Sequence, residues 1–153
     1  MGRITFQKGP EYFVEAAKKV IERDPNVRFV MAGSGDLLNR MIDRVAELRM
    51  GTKFHFTGFL KGDDVDHMYA ISDVYVMPSV SEPFGIAPLE AVRHNTPVII
   101  SKQSGVAEVL KNAIKVGLAV SAVGPQVVGA NCGVCGAGVA VRLPRFARCA
   151  SGA

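Results

Sequence analysis

From residue 1 to about 116, short apolar runs without in–out alternation recur between segments of helical spacing, and this pattern constrains the fold more than any other feature. Phe13, Ala17, Val20 and Ile21 fall at i, i+4, i+7 and i+8, which predicts an amphipathic helix over 10–23. Pro10 suits its first turn and Asp24-Pro25 stops it. Residues 27–32 form a compact apolar run, read as a buried strand. Gly33-Ser34-Gly35-Asp36 turns the chain into a second helix with the face Leu38, Met41, Ile42, Val45 and Leu48, ended by Gly51. Strands at 53–57, 74–77 and 98–100 then alternate with helices at 63–71, 85–94 and 105–111. Strands of this kind, separated by helices, imply a Rossmann-like, doubly wound parallel sheet covered on both faces. In such sheets ligands bind beyond the carboxyl ends of the strands, so chemistry is to be sought in the loops that lead into helices.

Residues 117–153 have a different texture, with seven Gly, no acids, all three Cys and no sustained helical or strand period. This Gly- and Cys-rich tail reads as foreign to the domain, which is expected to end incomplete near residue 116. Charge divides in the same way. The net charge of +4 comes largely from Arg142, Arg145 and Arg148, because residues 1–116 carry fifteen Lys or Arg against fourteen acids. With no basic stripe interleaved with aromatics in the body, nucleic acid is not expected as a partner. Cys132-Gly-Val-Cys135 has the spacing of half a zinc site, but no second pair or nearby His completes it, and Cys149 stands apart. No apolar run reaches the roughly 18–20 residues that span a bilayer, and the start lacks a secretory pattern, so a cytoplasmic protein is the expectation.

The most informative stretch is 81–91, Ser-Glu-Pro-Phe-Gly-Ile-Ala-Pro-Leu-Glu-Ala, which follows a strand and opens a helix. Gly85 lets the backbone approach a ligand, and amides at the helix start near Gly85 and Ile86 suit a diphosphate. Glu82 before the helix and Glu90 within it place carboxylates on either side of that cradle, a layout matching a ligand with hydroxyls flanking a diphosphate. Taken alone, Glu82 reads more readily as a helix cap and Glu90 as a solvated helix residue. Arg3 and Lys8, five residues apart in a Gly-containing loop before the first helix, lie at the same sheet edge and can reach the same diphosphate.

These pieces together resemble the carboxy-terminal domain of retaining glycosyltransferases of family 4, often called glycosyl transferases group 1. The matching segments are Gly2-Arg3 with Lys8-Gly9, Ala32-Gly33-Ser34-Gly35, Phe56-Thr57-Gly58-Phe59 and residues 73–79. Glu82, seven residues and Glu90 form the family's signature, followed by Thr96-Pro97-Val98-Ile99 and Gly105-Val106-Ala107-Glu108-Val109. The resemblance implies one half of a two-domain GT-B enzyme. In it, Arg3 and Lys8 neutralise the donor diphosphate as leaving group, with Glu82 holding donor-sugar hydroxyls. Glu90 takes the ribose hydroxyls, backbone at Phe84, Gly85 and Ile86 contacts phosphate and sugar, and backbone at Phe59 and Leu60 edges the base. A nucleoside-diphosphate sugar is implied as substrate, with no cofactor and no metal. An amino-terminal acceptor domain is implied as missing, so the chain alone is expected to be inactive. The resemblance leaves open a lipid-linked acceptor and attachment at the inner membrane face.

The rival reading is a noncatalytic Rossmann-like module that binds a nucleotide or a partner. Gly33-x-Gly35 lacks the third glycine of a dinucleotide fingerprint, since position 38 is Leu. His55, His67 and His94 sit on separate elements at no metal-ligand spacing, and Ser79 and Ser81 lack a nucleophile elbow.

Overall fold

The computed structural model describes residues 3–102, 104–110 and 139–142. A single 3-10 turn, Phe6–Lys8, precedes α1 (Pro10–Arg23), β1 (Arg28–Ala32), α2 (Leu38–Glu47), β2 (Phe54–Gly58) and α3 (Asp63–Ala70). Then follow β3 (Val74–Met77), α4 (Ala87–Arg93), β4 (Val98–Ile100), α5 (Val106–Leu110) and β5 (Val139–Arg142). The strands form one sheet in the order β2-β1-β5-β3-β4. β1 and β2 pair in parallel, as do β3 and β4. From β1 the chain winds to one edge of the sheet and from β3 to the other, so the point of reversal lies between β1 and β3. This is the doubly wound α/β arrangement expected from the sequence.

Its centre differs from the expectation. The place between β1 and β3 is taken by β5, antiparallel to both. Residues 139–142 had shown no strand period, and the sheet had been expected to be wholly parallel. Flanking strands supply paired N–H and C=O groups on both sides of this gap, and four extended residues there satisfy ladder bonds whatever their local pattern. The remaining tail, with Cys132, Cys135, Cys149, Arg145 and Arg148, lies outside the described residues. Among the described residues no helix is long and apolar enough to cross a membrane.

Under α1, three aromatic rings fill one face of the sheet. Phe29 stacks on Phe54 at 5.2 Å, and Phe13 meets both edge-on at 5.7 and 5.8 Å. Val14 joins Phe13 and Ala17 in the buried face of α1, whereas Val20 is exposed. Ile21, in the same last turn, still packs against the core. On α2, Met41 and Val45 are buried but Ile42 is exposed. Leu38 and Leu48 pack against the core beside them, so of the predicted face only Ile42 turns outward.

Gly51 does not end α2. Arg49 adopts φ +55°, and the chain reverses through Met50 N–H to Val45 O at 2.9 Å and Arg49 N–H to Ala46 O at 2.9 Å. Asn95, at φ +56°, closes α4 in the same way. Asn tolerates this conformation, while Arg bears the Cβ penalty. Arg49→Gly is therefore expected to stabilise the domain by about 0.5–1 kcal/mol, after the entropy of a freer unfolded chain is deducted. A thermal midpoint raised by a few degrees would meet this expectation, and a lowered one would refute it.

Candidate functional site

Residues 3–9 lie across the carboxyl ends of β1 and β3, at the reversal point. Ile4 is wholly buried, its N–H donating to Ser34 O at 3.0 Å and its carbonyl accepting from Leu37 N–H at 3.2 Å. These bonds tie the loop to the turn after β1. Gly35 makes the approach possible, since a Cβ there would lie 2.5 Å from Ile4 O. On the other side, Gln7 O accepts from Val80 N–H at 2.8 Å. Gly9, at φ +61°, packs so closely that a Cβ would fall 2.3 Å from Pro78 O. The loop is thus clamped to the ends of both strands, and Lys8 is delivered to the loop that follows β3.

There Lys8 Nζ donates to Glu82 Oε2 in an ion pair whose side chains are 24% and 12% exposed. A pair this shielded is screened by salt less than a surface pair. The ammonium carries three donors, so it can retain Glu82 and still donate to an incoming anion. Glu82 is fixed from behind. Its carbonyl accepts Gly105 N–H at 3.0 Å, and Phe84 O accepts Val106 N–H at 2.9 Å. Ser101 Oγ donates to Ser79 O at 2.6 Å, so the loop after β4 clips the loop after β3 along its length.

Gly85 has φ +80° and lies against Glu82, where a Cβ would be 3.0 Å from Glu82 Cγ. The amides of Phe84, Gly85 and Ile86 donate to no acceptor among the described residues. Helix α4 begins at Ala87, two residues later than predicted, with Pro88 in its first turn. Those three amides therefore precede the helix and point from an irregular loop. Phe84 and Ile86 are exposed beside them.

Glu90 is half-buried on α4, and Tyr69 Oη donates to its Oε2 at 3.1 Å. Tyr69 comes from α3 and is buried, and its phenol pKa is pushed up by that burial and by the neighbouring Glu90 charge. Phe59, exposed, sits in the loop after β2 with Lys61 Nζ 5.9 Å from its ring centre, and Leu60 follows half-buried. Arg3 is exposed at the start of the clamped loop.

All of the site residues predicted from the sequence therefore lie in loops or a helix at the carboxyl edge of the sheet. Lys8, Glu82 and Gly85 are in direct association. Arg3 lies five residues before Lys8 in the same loop. Phe59 and Leu60 lie in the loop after the edge strand β2 with no hydrogen bond to those three, and Glu90 accepts from Tyr69. The sequence reading did not include Tyr69 or the clip made by Ser101 and Gly105. Tyr69 carries no local mark, since an aromatic at the end of an amphipathic helix reads as core. His94, expected only to complement a helix dipole, stacks on Tyr69 and bonds Asp66 Oδ1 at 2.9 Å. His55 and His67 are exposed, and among the described residues no three His, Cys, Asp or Glu cluster as metal ligands. The hydroxyl of Ser79, buried just after β3, has no partner among the described residues.

Comparison with known proteins gives one answer. The family described as "Glycosyl transferases group 1" matches residues 1–126. An uncharacterized glycosyltransferase of Methanocaldococcus jannaschii is 43% identical over 114 residues, covering 74% of this chain and 29% of that protein. The chain therefore spans less than a third of that relative. Among solved structures, the C-terminal domain of a glycosyl transferase group 1 family protein (LpcC) from Francisella tularensis aligns with a TM-score of 0.64 at 27% identity. The match covers 71% of this chain and 59% of that one. Anabaena HepE, solved in complex with UDP and glucose, aligns with a TM-score of 0.63 at 23% identity, covering 71% and 30%.

Proposed function

The chain belongs to the glycosyl transferases group 1 family, and on that premise we propose that it forms the donor-binding half of a retaining GT-B glycosyltransferase. The observation that carries this reading is the Lys8–Glu82 pair, set at the reversal point of the sheet beside three amides without acceptors among the described residues. Doubly wound sheets bind their ligands at this point. Unengaged amides and a cation on adjoining loops suit a diphosphate, and the half-buried carboxylate beside them suits sugar hydroxyls.

In this reading Lys8, joined by Arg3, neutralises the charge that builds on the diphosphate as the glycosyl bond breaks. Glu82 accepts from hydroxyls of the donor sugar and keeps Lys8 oriented. The amides of Phe84, Gly85 and Ile86 take phosphate and sugar oxygens, with Gly85 giving the backbone its close approach. Glu90 takes the ribose hydroxyls, and the backbone at Phe59 and Leu60 borders the base. Lys8, Arg3 and the amides supply positive charge where a divalent metal would otherwise be needed. In a GT-B enzyme the acceptor hydroxyl is presented by the other domain, across the cleft from this donor site. That HepE is described in complex with UDP and glucose supports a uridine nucleotide as the first ligand to try.

The experiment is thermal unfolding of the chain alone and with UDP, GDP and ADP. A ligand that binds only the folded state stabilises it by about 2.7 kcal/mol at a hundredfold excess over its Kd. Selective stabilisation by one diphosphate is expected. Glu90→Ala should weaken that binding roughly 10- to 100-fold, the loss of hydrogen bonds to a charged group. Glu82→Ala should reduce affinity for the nucleotide sugar more than for the bare nucleotide. A cooperative transition indifferent to all three nucleotides would reject the donor-site reading in favour of a noncatalytic module.

A further inference from the structure

Among the described residues, Lys8 and Glu82 are each other's only ion-pair partners. Both are half-buried, so solvent and salt screen their charges less than at the open surface. Glu82 is anchored through its backbone by the bond from Gly105 N–H and by a parallel bridge to Ser104, and its Cγ packs against Gly85. Lys8 follows Gln7, whose carbonyl accepts Val80 N–H at 2.8 Å, and precedes Gly9, which is packed against Pro78. The loops that carry the pair are therefore fixed on either side of it. An anion that takes a donor from Lys8 meets the carboxylate as well, because one ammonium serves both.

That shared cation has different consequences for two ligands with the same nucleotide. A free nucleoside diphosphate ends in a phosphoryl group that carries about −1.5 to −2 charges at pH 7, its second pKa lying at about 6. Esterified by a sugar, the same phosphoryl carries a single charge and brings hydroxyls with it. Glu82 repels the added charge of the first ligand and accepts from the hydroxyls of the second. We infer that the charge of Glu82 makes the site prefer a diphosphate esterified by a sugar over the free nucleoside diphosphate. This rests on the donor-site reading, which brings a diphosphate to Lys8 and a sugar to Glu82. An anion that shares the ammonium stands roughly 4–6 Å from the carboxylate, where one added charge shifts affinity by about tenfold at a dielectric between those of water and a protein surface. A nucleotide without its sugar is thus disfavoured in the place where its sugar ester is held. Discrimination of this kind comes from a repulsive element built against the wrong ligand.

The test is the affinity of the full chain for UDP, its terminal methyl ester and UDP-glucose, in wild type and in Glu82→Gln. The corresponding set serves for whichever base stabilises the chain. The methyl ester holds the terminal phosphoryl at a single charge without adding sugar hydroxyls, and glutamine keeps an acceptor of similar size without the charge. Wild type is expected to bind the ester at least as tightly as UDP. Glu82→Gln should bind UDP about tenfold more tightly than wild type does, and the gain for UDP should exceed that for the ester by at least about threefold. UDP-glucose should gain least, because its hydroxyls lose a charged acceptor. Unchanged or weaker UDP binding in Glu82→Gln, beside a wild type that binds UDP, overturns the inference and leaves the diphosphate site standing. Equal gains for all three ligands overturn it too, since the added charge would then go unread. A wild type that binds UDP more than about threefold tighter than the ester overturns it without any variant. If neither protein binds any of the three, the donor-site reading falls and the inference with it.

Discussion

Alanine at position 105 is expected to destabilise the domain by about 3 kcal/mol and to abolish tight nucleotide binding together with it. A Cβ on Gly105 would lie 2.0 Å from Pro83 O and 2.9 Å from Pro83 C, both backbone atoms that no side-chain rotation can move aside. The loop after β3 must therefore shift by about 1 Å or more to restore an ordinary contact. That shift breaks or lengthens the bonds from Gly105 N–H to Glu82 O and from Val106 N–H to Phe84 O. Overpacking costs typically 1–3 kcal/mol, and each net hydrogen bond contributes about 1 more. In a domain of this size the thermal midpoint should fall roughly 10–20 °C. Glu82 and the amides of Phe84 to Ile86 are displaced by the same movement, so affinity per folded molecule drops as well. Gly51→Ala is the control, because nothing lies within 4 Å of a Cβ there. It should be neutral to about 0.5 kcal/mol. Equal stability of the two variants would show that the loop tolerates the intrusion.

Phe29→Ala is expected to cost more stability and to leave binding per folded molecule unchanged. Phe29 contacts both other rings of the triad, stacked on Phe54 and edge-on to Phe13, and it is 2% exposed. Removing it opens a cavity between α1 and the sheet, at a cost of about 3–5 kcal/mol. Folded domains hold only about 5–15 kcal/mol in total, so the variant sits close to unfolding at room temperature. Phe29→Leu retains most of the volume and should cost less than about 2 kcal/mol. Urea midpoints order the three proteins, and nucleotide affinity measured on the folded fraction separates this substitution from Gly105→Ala. A Phe29→Ala midpoint within about 1 kcal/mol of wild type would mean that the sheet collapses around the gap.

Much of this architecture is written in local pattern. Residues 74–77 and 98–100 are apolar without alternation because both faces of their strands are covered, and they are strands at those positions. Pro10 opens α1 and Asp24 closes it, because proline's fixed φ and missing N–H act on neighbours alone. Gly85 takes the positive φ that its place in the loop suggests. What local pattern does not encode is pairing at a distance. Lys8 and Glu82 are 74 positions apart, and nothing near either residue says that they meet. Sequence assigned one to phosphate and the other to sugar, and the fold joins them. Arg49 takes the left-handed conformation two residues before the glycine that would adopt it more easily, since helix length here follows the burial of Met41 and Val45. The partnership of Tyr69 with Glu90 likewise depends on how α3 and α4 pack.

The central strand has a consequence for how the molecule is assembled. The units β1–α2–β2 and β3–α4–β4 each pair strands that are near one another along the chain, so each can form early. β5 joins β1 to β3 only after closure of a loop of roughly a hundred residues, whose entropy must be lost before any ladder bond repays it. Until that late event, two apolar strand edges face outward together, and edges of this kind recruit strands from other molecules. The order of assembly thus sets this chain's hazard. Its concentration during refolding decides whether the vacancy at the centre of the sheet is filled from within or by a neighbour.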